Sequence, residues 1–242
     1  MRNKRFLVML SIFGFVLALI VMSSAIFRVR HVVAYGHNSN DAELEQLIVD
    51  AAPIRRGQSI FSVRDRSVVN ELHGQIANIR VVNVERRFPN RVFINFVQRF
   101  EYFQISYGGY YFITDETLHT LRYASNRPNL IELRLSEALA APPAVGQSLA
   151  APTQEIAMAT EFMRIAGRRA ATLFVHVDFG NHNSIILQTR EGIRFRFIGT
   201  ENLAERLHFA LYVFDNTLPS YRRTGGTLYI LNNDSVHWSE SY

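Results

Sequence analysis

The sequence contains no cysteine. Disulfides, thiolate metal sites and cysteine nucleophiles are thereby excluded. Lysine is nearly absent. Lys4 is the only one, so the formal charge of +5 rests on arginine. The arginines are spread along the chain, whereas a nucleic-acid surface gathers them on one face or helix; no nucleic-acid partner is expected. A glycine-rich phosphate loop and the His-Glu-x-x-His zinc signature are missing, and no solenoid-length period repeats.

What is present points to folded domains. Of 242 residues, 48% are hydrophobic, too many for a disordered chain and enough for one large or two small cores. The stretch FLVMLSIFGFVLALIVMSSAIF, Phe6–Phe27, has no charged residue. As a helix it would extend about 33 Å at ~1.5 Å per residue, enough for a ~30 Å hydrocarbon layer. A single N-terminal transmembrane helix is therefore expected. A cleaved signal peptide competes, because Ser23-Ser24-Ala25 resembles a cleavage site, but its apolar core normally covers only ~7–15 residues. Arg2, Lys4 and Arg5 precede the run and Arg28 and Arg30 follow it, a bias that favours a cytoplasmic N-terminus.

Beyond the run, periodicity suggests β-α-α-β-β in the first part. Val29–Tyr35 reads as a strand. Asn40 is the expected cap of a helix whose apolar face carries Leu44, Leu47, Ile48 and Ala51. Asp65 is the expected cap of a second helix, with Val68, Val69, Leu72 and Ile76 inward. Val81–Arg99 then reads as a hairpin turning at Phe88-Pro89-Asn90-Arg91. Later segments read as a mixed β domain with flanking helices. Strands are expected at Phe103–Tyr107, Tyr110–Thr114, Thr117–Tyr123, Leu173–Phe179, Ser184–Thr189, Gly192–Ile198, Thr227–Leu231 and Val236–Trp238. Asn126–Leu149 reads as a surface loop. Ile156–Ala166 and Asn202–Phe214 have helical apolar faces.

Two groups have chemical potential. His176, Asp178 and His182 form His-x-Asp-x3-His, either part of a metal site or a polar strand face with a hydrogen-bonding turn. Gly57-Gln58-Ser59 is half of a nucleophile elbow, with Phe61 where the second glycine belongs. Neither gives positive support for catalysis, so no enzyme activity, cofactor or metal is expected.

The hairpin carries V-x-V-x-R-x-x-P-N-x-x-x-I-x-x-x-x-R over Val82–Arg99. This resembles the end of the POTRA domain in the FtsQ/DivIB bacterial cell-division family. GQSIFSV, YYFITDETLHTL, VGQSL, GIRFRFIGTENLAERLHFALYVF and TLYILNNDSVHW continue the resemblance in order. It covers nearly the whole chain. It departs from the family pattern at Gln98-Arg99, at Thr227-Leu228-Tyr229 and at His37.

The resemblance implies an α+β protein. Residues 1–5 would be a cytoplasmic tail, 6–27 the transmembrane helix, 28–99 a POTRA domain, 100–238 a β domain and 239–242 a C-terminal tail. It implies a membrane-anchored, non-enzymatic division scaffold at the septum, with its domains outside the cytoplasm. The implied partners are FtsB/DivIC-like and FtsL-like anchored coiled-coil proteins and septal peptidoglycan synthesis proteins. An extended segment of the FtsB/DivIC-like partner would add to the C-terminal part of the β domain. Candidate contacts there are Arg222, Arg223, Thr227, Leu228, Tyr229, Ile230, Leu231 and Trp238, with Thr227–Leu231 expected as an edge strand. Arg86 is a candidate surface contact on the hairpin. Two alternatives are a POTRA-bearing protein of envelope assembly or secretion and an anchored envelope hydrolase.

Overall fold

A computed structural model describes residues 13–14, 26–137, 139, 141–181, 183–218, 225–231 and 235–240. The chain divides into two units, Met1–Arg99 and Phe100–Tyr242. Among the described residues the fold is mixed α/β, with two sheets and five α-helices. The expected single N-terminal transmembrane helix is not supported. Among the described residues, no helix is long and apolar enough to cross a membrane. Most of Phe6–Phe27 lies outside those residues. The expectation rested on hydropathy and length, which say what a segment tolerates rather than what it forms.

The first unit runs β1 (His31–Gly36), α1 (Ala42–Ala51), a 3-10 turn (Ile60–Ser62), α2 (Asp65–Gln75), β2 (Ile79–Arg87) and β3 (Arg91–Gln98). Its sheet has the order β1-β3-β2, with β1 parallel and β2 antiparallel to β3. Both helices turn their apolar stripes to one core. Leu44 and Ile48 of α1 and Val68 and Leu72 of α2 are buried with Val84, Val92, Ile94 and Phe96 of the sheet.

Four details differ from the sequence reading. The cap of α1 is Asp41, whose Oδ1 accepts from the backbone N–H of Glu43 and Leu44, both at 3.1 Å. Leu47 is 53% exposed, so the buried stripe of α1 is narrower than the apolar one. Asp65 is the first residue of α2 and makes no cap bond; it pairs instead with Arg86 at 2.6 Å. A bulge between Val81 and Asn83 shifts the register of β2, so Val81 and Val84 are both buried while Val82 is exposed.

The second unit runs β4 (Phe103–Tyr107), β5 (Tyr110–Thr114), β6 (Thr120–Ala124), β7 (Ile131–Arg134), α3 (Thr153–Ala166), α4 (Arg169–Leu173), β8 (Phe174–Asn181), β9 (Ser184–Thr189), β10 (Arg194–Ile198), α5 (Leu203–Asn216), β11 (Thr227–Ile230) and β12 (Val236–Ser239). They form one nine-stranded sheet in the order β12-β11-β10-β9-β8-β7-β4-β5-β6. The pairs β4–β7, β7–β8 and β10–β11 are parallel.

The expected loop Asn126–Leu149 thus contains a strand, β7, that joins the two halves of the sheet. Ile131 and Leu133 alternate inward and are buried. Strand β12 takes in Ser239, which the sequence reading assigned to the tail. A line of ring contacts ties helices to sheet. Phe103, Phe162, Phe174, Phe195 and Phe214 follow one another at centroid distances of 6.3, 5.3, 5.8 and 5.6 Å. Such edge-to-face and tilted stacking adds to the burial term.

Candidate functional site

The C-terminal end of the large sheet is built by β10, α5, β11 and β12. Helix α5 carries the chain from β10 to the parallel strand β11, as a parallel pair requires. Leu203, Leu207, Ala210 and Phe214 bury its apolar face. Strand β12 returns antiparallel beside β11 and ends the sheet.

This order corrects the expected edge. Strand β11 is paired on both sides, to β10 and to β12, so its backbone is committed within the sheet. Among the described residues the edge at this end is β12, Val236–Ser239. The physical reason is chain reversal: the last segment is long enough to fold back and cover β11.

Side-chain alternation sorts the candidate contacts. Leu228 and Ile230 point into the core and are buried, so neither can touch a partner. Thr227 and Tyr229 lie on the opposite face. The register places Arg196 opposite Tyr229, and Tyr229 opposite His237. The Arg196 guanidinium carbon stands 6.0 Å from the Tyr229 ring centroid, and the Tyr229 and His237 rings are 6.4 Å apart. Leu231 follows the strand and is exposed. Arg222 and Arg223 lie outside the described residues.

Trp238 sits opposite Leu228 and packs on the buried cluster. It therefore closes the core more than it offers a contact. Its indole lies directly over Gly226: a Cβ there would come within 2.6 Å of Cζ2. The φ of Gly226 is 101°, a second reason for glycine.

Arg206 was not singled out by the sequence reading. It is only 4% exposed, in the first turns of α5. Its Nη2 donates to the Ile230 carbonyl at 2.6 Å, and its Nη1 to the carbonyls of Gly199 at 3.3 Å and Glu201 at 3.2 Å. The guanidinium also stands 5.5 Å from the Phe197 centroid. Burial pushes its pKa down from the usual arginine range, and the charge of Glu201 opposes that shift. One buried cation thus holds the ends of β10 and β11 against α5. The signal was available: Arg206 interrupts the apolar stripe between Leu203 and Leu207.

The remaining candidates separate. Arg86 pairs with Asp65 on the face of the first unit. Ser59 caps the 3-10 turn, its Oγ accepting from Phe61 N–H at 3.4 Å. His176 stands with Nδ1 3.9 Å from Glu132 Oε2 and Nε2 4.0 Å from Asp178 Oδ2. Asp178 is otherwise engaged by the Gly180 N–H at 2.6 Å and by Arg134 at 3.6 Å. His182 lies outside the described residues. Among the described residues, no group of three or more His, Cys, Asp or Glu side chains is placed to hold a metal ion.

Neither the protein-family models nor the curated proteins compared with this chain give a match.

Proposed function

We propose that this chain is a non-enzymatic scaffold of bacterial cell division, of the FtsQ/DivIB kind. In this reading both units work outside the cytoplasm at the division septum. They join septal peptidoglycan synthesis proteins through FtsB/DivIC-like and FtsL-like coiled-coil proteins. The ordered sequence motifs from Val82–Arg99 to the C-terminal segment suggest the family.

The observation that carries the reading is the position of β12. It ends a nine-stranded sheet, and it lies beside the outward row Arg196, Tyr229 and His237. An edge strand offers main-chain donors and acceptors to an extended segment of another protein. The outward row supplies side chains that such a segment would cross. Aromatic and arginine side chains are those most enriched among interface hot spots.

The test is capture of an FtsB/DivIC-like partner by the full chain, followed by strand-specific cross-linking at β12. A photo-cross-linker replacing His237 should trap the partner's extended segment. Cross-links that form only at positions on the first unit would refute this site. Location is tested separately: a reporter active only outside the cytoplasm, fused after Tyr242, should be active.

A further inference from the structure

We infer that the hairpin end of the first unit is a contact surface for an anionic phospholipid bilayer. This inference does not depend on the strand-addition reading. It begins with three phenylalanines from separate parts of the chain. Phe27 precedes β1, Phe61 lies in the 3-10 turn and Phe88 in the β2–β3 turn. Ring centroids are 5.5 Å apart for Phe27 and Phe61, 5.9 Å for Phe27 and Phe88, and 5.5 Å for Phe61 and Phe88. Phe61 is 62% exposed and Phe88 57%. Phe27 touches the buried cluster from outside; Phe61 and Phe88 are not part of it. The trio therefore packs largely on itself and presents two rings to its surroundings. A clustered apolar patch of this kind marks an interaction surface.

Backbone bonds hold the trio in place. Arg28 and Ser59 form an antiparallel bridge, and the Ile60 N–H donates to the Phe27 carbonyl at 2.9 Å. The N–H groups of Arg30 and His31 donate to the Asn90 carbonyl at 2.9 and 3.3 Å. The rings are thus tied to the sheet end by main-chain links.

Arginines adjoin the rings in the sequence: Arg28 follows Phe27 and Arg87 precedes Phe88. Arg28, Arg30, Arg87 and Arg91 are all exposed. The register sets Arg91 between His31 and Arg87, a basic row across the end of the sheet. Like charges directly opposite on neighbouring strands repel. Glu85 relieves one of them by pairing with Arg87 at 3.1 Å, and the Arg87 guanidinium lies 4.3 Å over the Phe93 ring, so Arg28, Arg30 and Arg91 are the cations left for a ligand. Among the described residues, no carboxylate pairs with Arg28, Arg30 or Arg91. An external anion would relieve the rest.

Two observations identify the occupant as lipid. The chain enters Phe27 from a run that is uncharged back to Phe6. The second is the pairing of exposed aromatic rings with exposed arginines that no carboxylate of the described residues neutralises at positions 28, 30 and 91. Apolar side chains dipping below the phosphates, with guanidiniums at phosphate level, are how a protein lies on a bilayer. Guanidinium also matches phosphate oxygens as a two-pronged donor.

The experiment uses the full chain in vesicles of phosphatidylglycerol and phosphatidylcholine that carry brominated acyl chains. Phe61→Trp and Phe88→Trp are read against the unsubstituted protein, whose single tryptophan is Trp238. Leu47→Trp, on the exposed side of α1, is the reference position. The expected result is loss of most of the added emission at 61 and 88 and little loss at 47. The loss should shrink when phosphatidylglycerol is omitted or salt is raised. Quenching at 61 and 88 no greater than at 47 would overturn the proposal, as would quenching indifferent to lipid charge. An emission shift that follows the protein-to-lipid ratio instead would assign the patch to a second copy of the chain, and would also overturn it. If either ring replacement disturbs the fold, Ser62→Cys carrying a polarity-sensitive dye serves instead, since the chain has no other cysteine to label.

Discussion

The buried guanidinium of Arg206 donates to the carbonyl of Ile230 at 2.6 Å, joining α5 to the end of β11. The same side chain reaches the carbonyls of Gly199 and Glu201. Removing it strips three backbone acceptors of a donor, the Ile230 carbonyl in a buried place and those of Gly199 and Glu201 in partly buried ones. Arg206→Ala should therefore lower stability by about 2–4 kcal/mol. Arg206→Lys should retain part of this, because one ammonium cannot reproduce the planar fork. Denaturant midpoints of the full chain and the two variants check the order. Equal midpoints for wild type and Arg206→Ala would show that the cation contributes nothing.

Gly226 offers a sharper steric test. Its φ is 101°, and an added Cβ would meet the Trp238 ring at 2.6 Å. The Ser239 carbonyl oxygen would stand 2.8 Å away as well, so the β12 backbone is crowded along with the ring. Gly226→Ala should cost at least about 1 kcal/mol and loosen the packing of the indole. Trp238 is the only tryptophan, so its emission reports the change directly. A red shift accompanying an earlier melt is expected; unchanged emission would mean that the chain relaxes elsewhere.

On α1, neighbouring residues should behave oppositely. Ile48 is fully buried and Leu47 is 53% exposed. Ile48→Ala should cost about 2–5 kcal/mol. Leu47→Ala should cost less than about 1 kcal/mol. Comparable losses in thermal melts would place the helix in a different rotation.

These contrasts show where the sequence was legible. Leu44, Ile48, Val68 and Leu72 follow helical spacing because a helix of ten or eleven residues repeats its face often enough to reveal it. Leu47 sits at the margin of the same stripe, where hydropathy cannot distinguish rim from core. Strand β7 looks like loop in the sequence, because four residues give only two inward positions, Ile131 and Leu133, inside a segment rich in alanine and proline. The edge of the large sheet was misplaced for another reason. Strand order depends on non-local pairing, and nothing in Thr227–Ile230 itself says whether β12 covers it. The bulge at Val81 and Asn83 was hidden likewise, since an extra residue shows only against its partner strand. Arg206 could have been found, as a charge within an apolar stripe; its three carbonyl partners could not.

His73 predicts a pH dependence. Its Nε2 accepts from the Val81 N–H at 3.1 Å, which requires the neutral ring. Burial first, and the charge of Arg99 second, hold its pKa below the ordinary value of 6.5. The unfolded chain therefore takes up a proton more readily than the folded one. The stabilisation is complete above pH 6.5 and is lost as pH falls from there through the folded pKa. His73→Gln should flatten this part of the stability profile. Urea midpoints between about pH 5 and 8 check it; an unchanged slope in the variant would assign the dependence to another group.

The last prediction separates contact from core at the sheet edge. Tyr229 and Leu228 are adjacent on β11 but face opposite ways, one beside His237 and the other beneath Trp238. If an extended partner segment adds to β12, it crosses the end of the row Arg196, Tyr229 and His237. Tyr229→Ala should then weaken capture of an FtsB/DivIC-like segment about tenfold, or ~1.4 kcal/mol, with little change in melting. Leu228→Ala should do the reverse, costing about 2–5 kcal/mol of stability by opening the core beneath Trp238. Its binding would weaken only through the lost fold, and would recover on cooling to where the domain is intact. Chain truncation is a poor substitute, because removing β12 removes Trp238 from the core as well. Binding and melting measured side by side on the two variants decide the matter. A Tyr229→Ala protein that melts like wild type and captures its partner with wild-type affinity places the partner away from this edge.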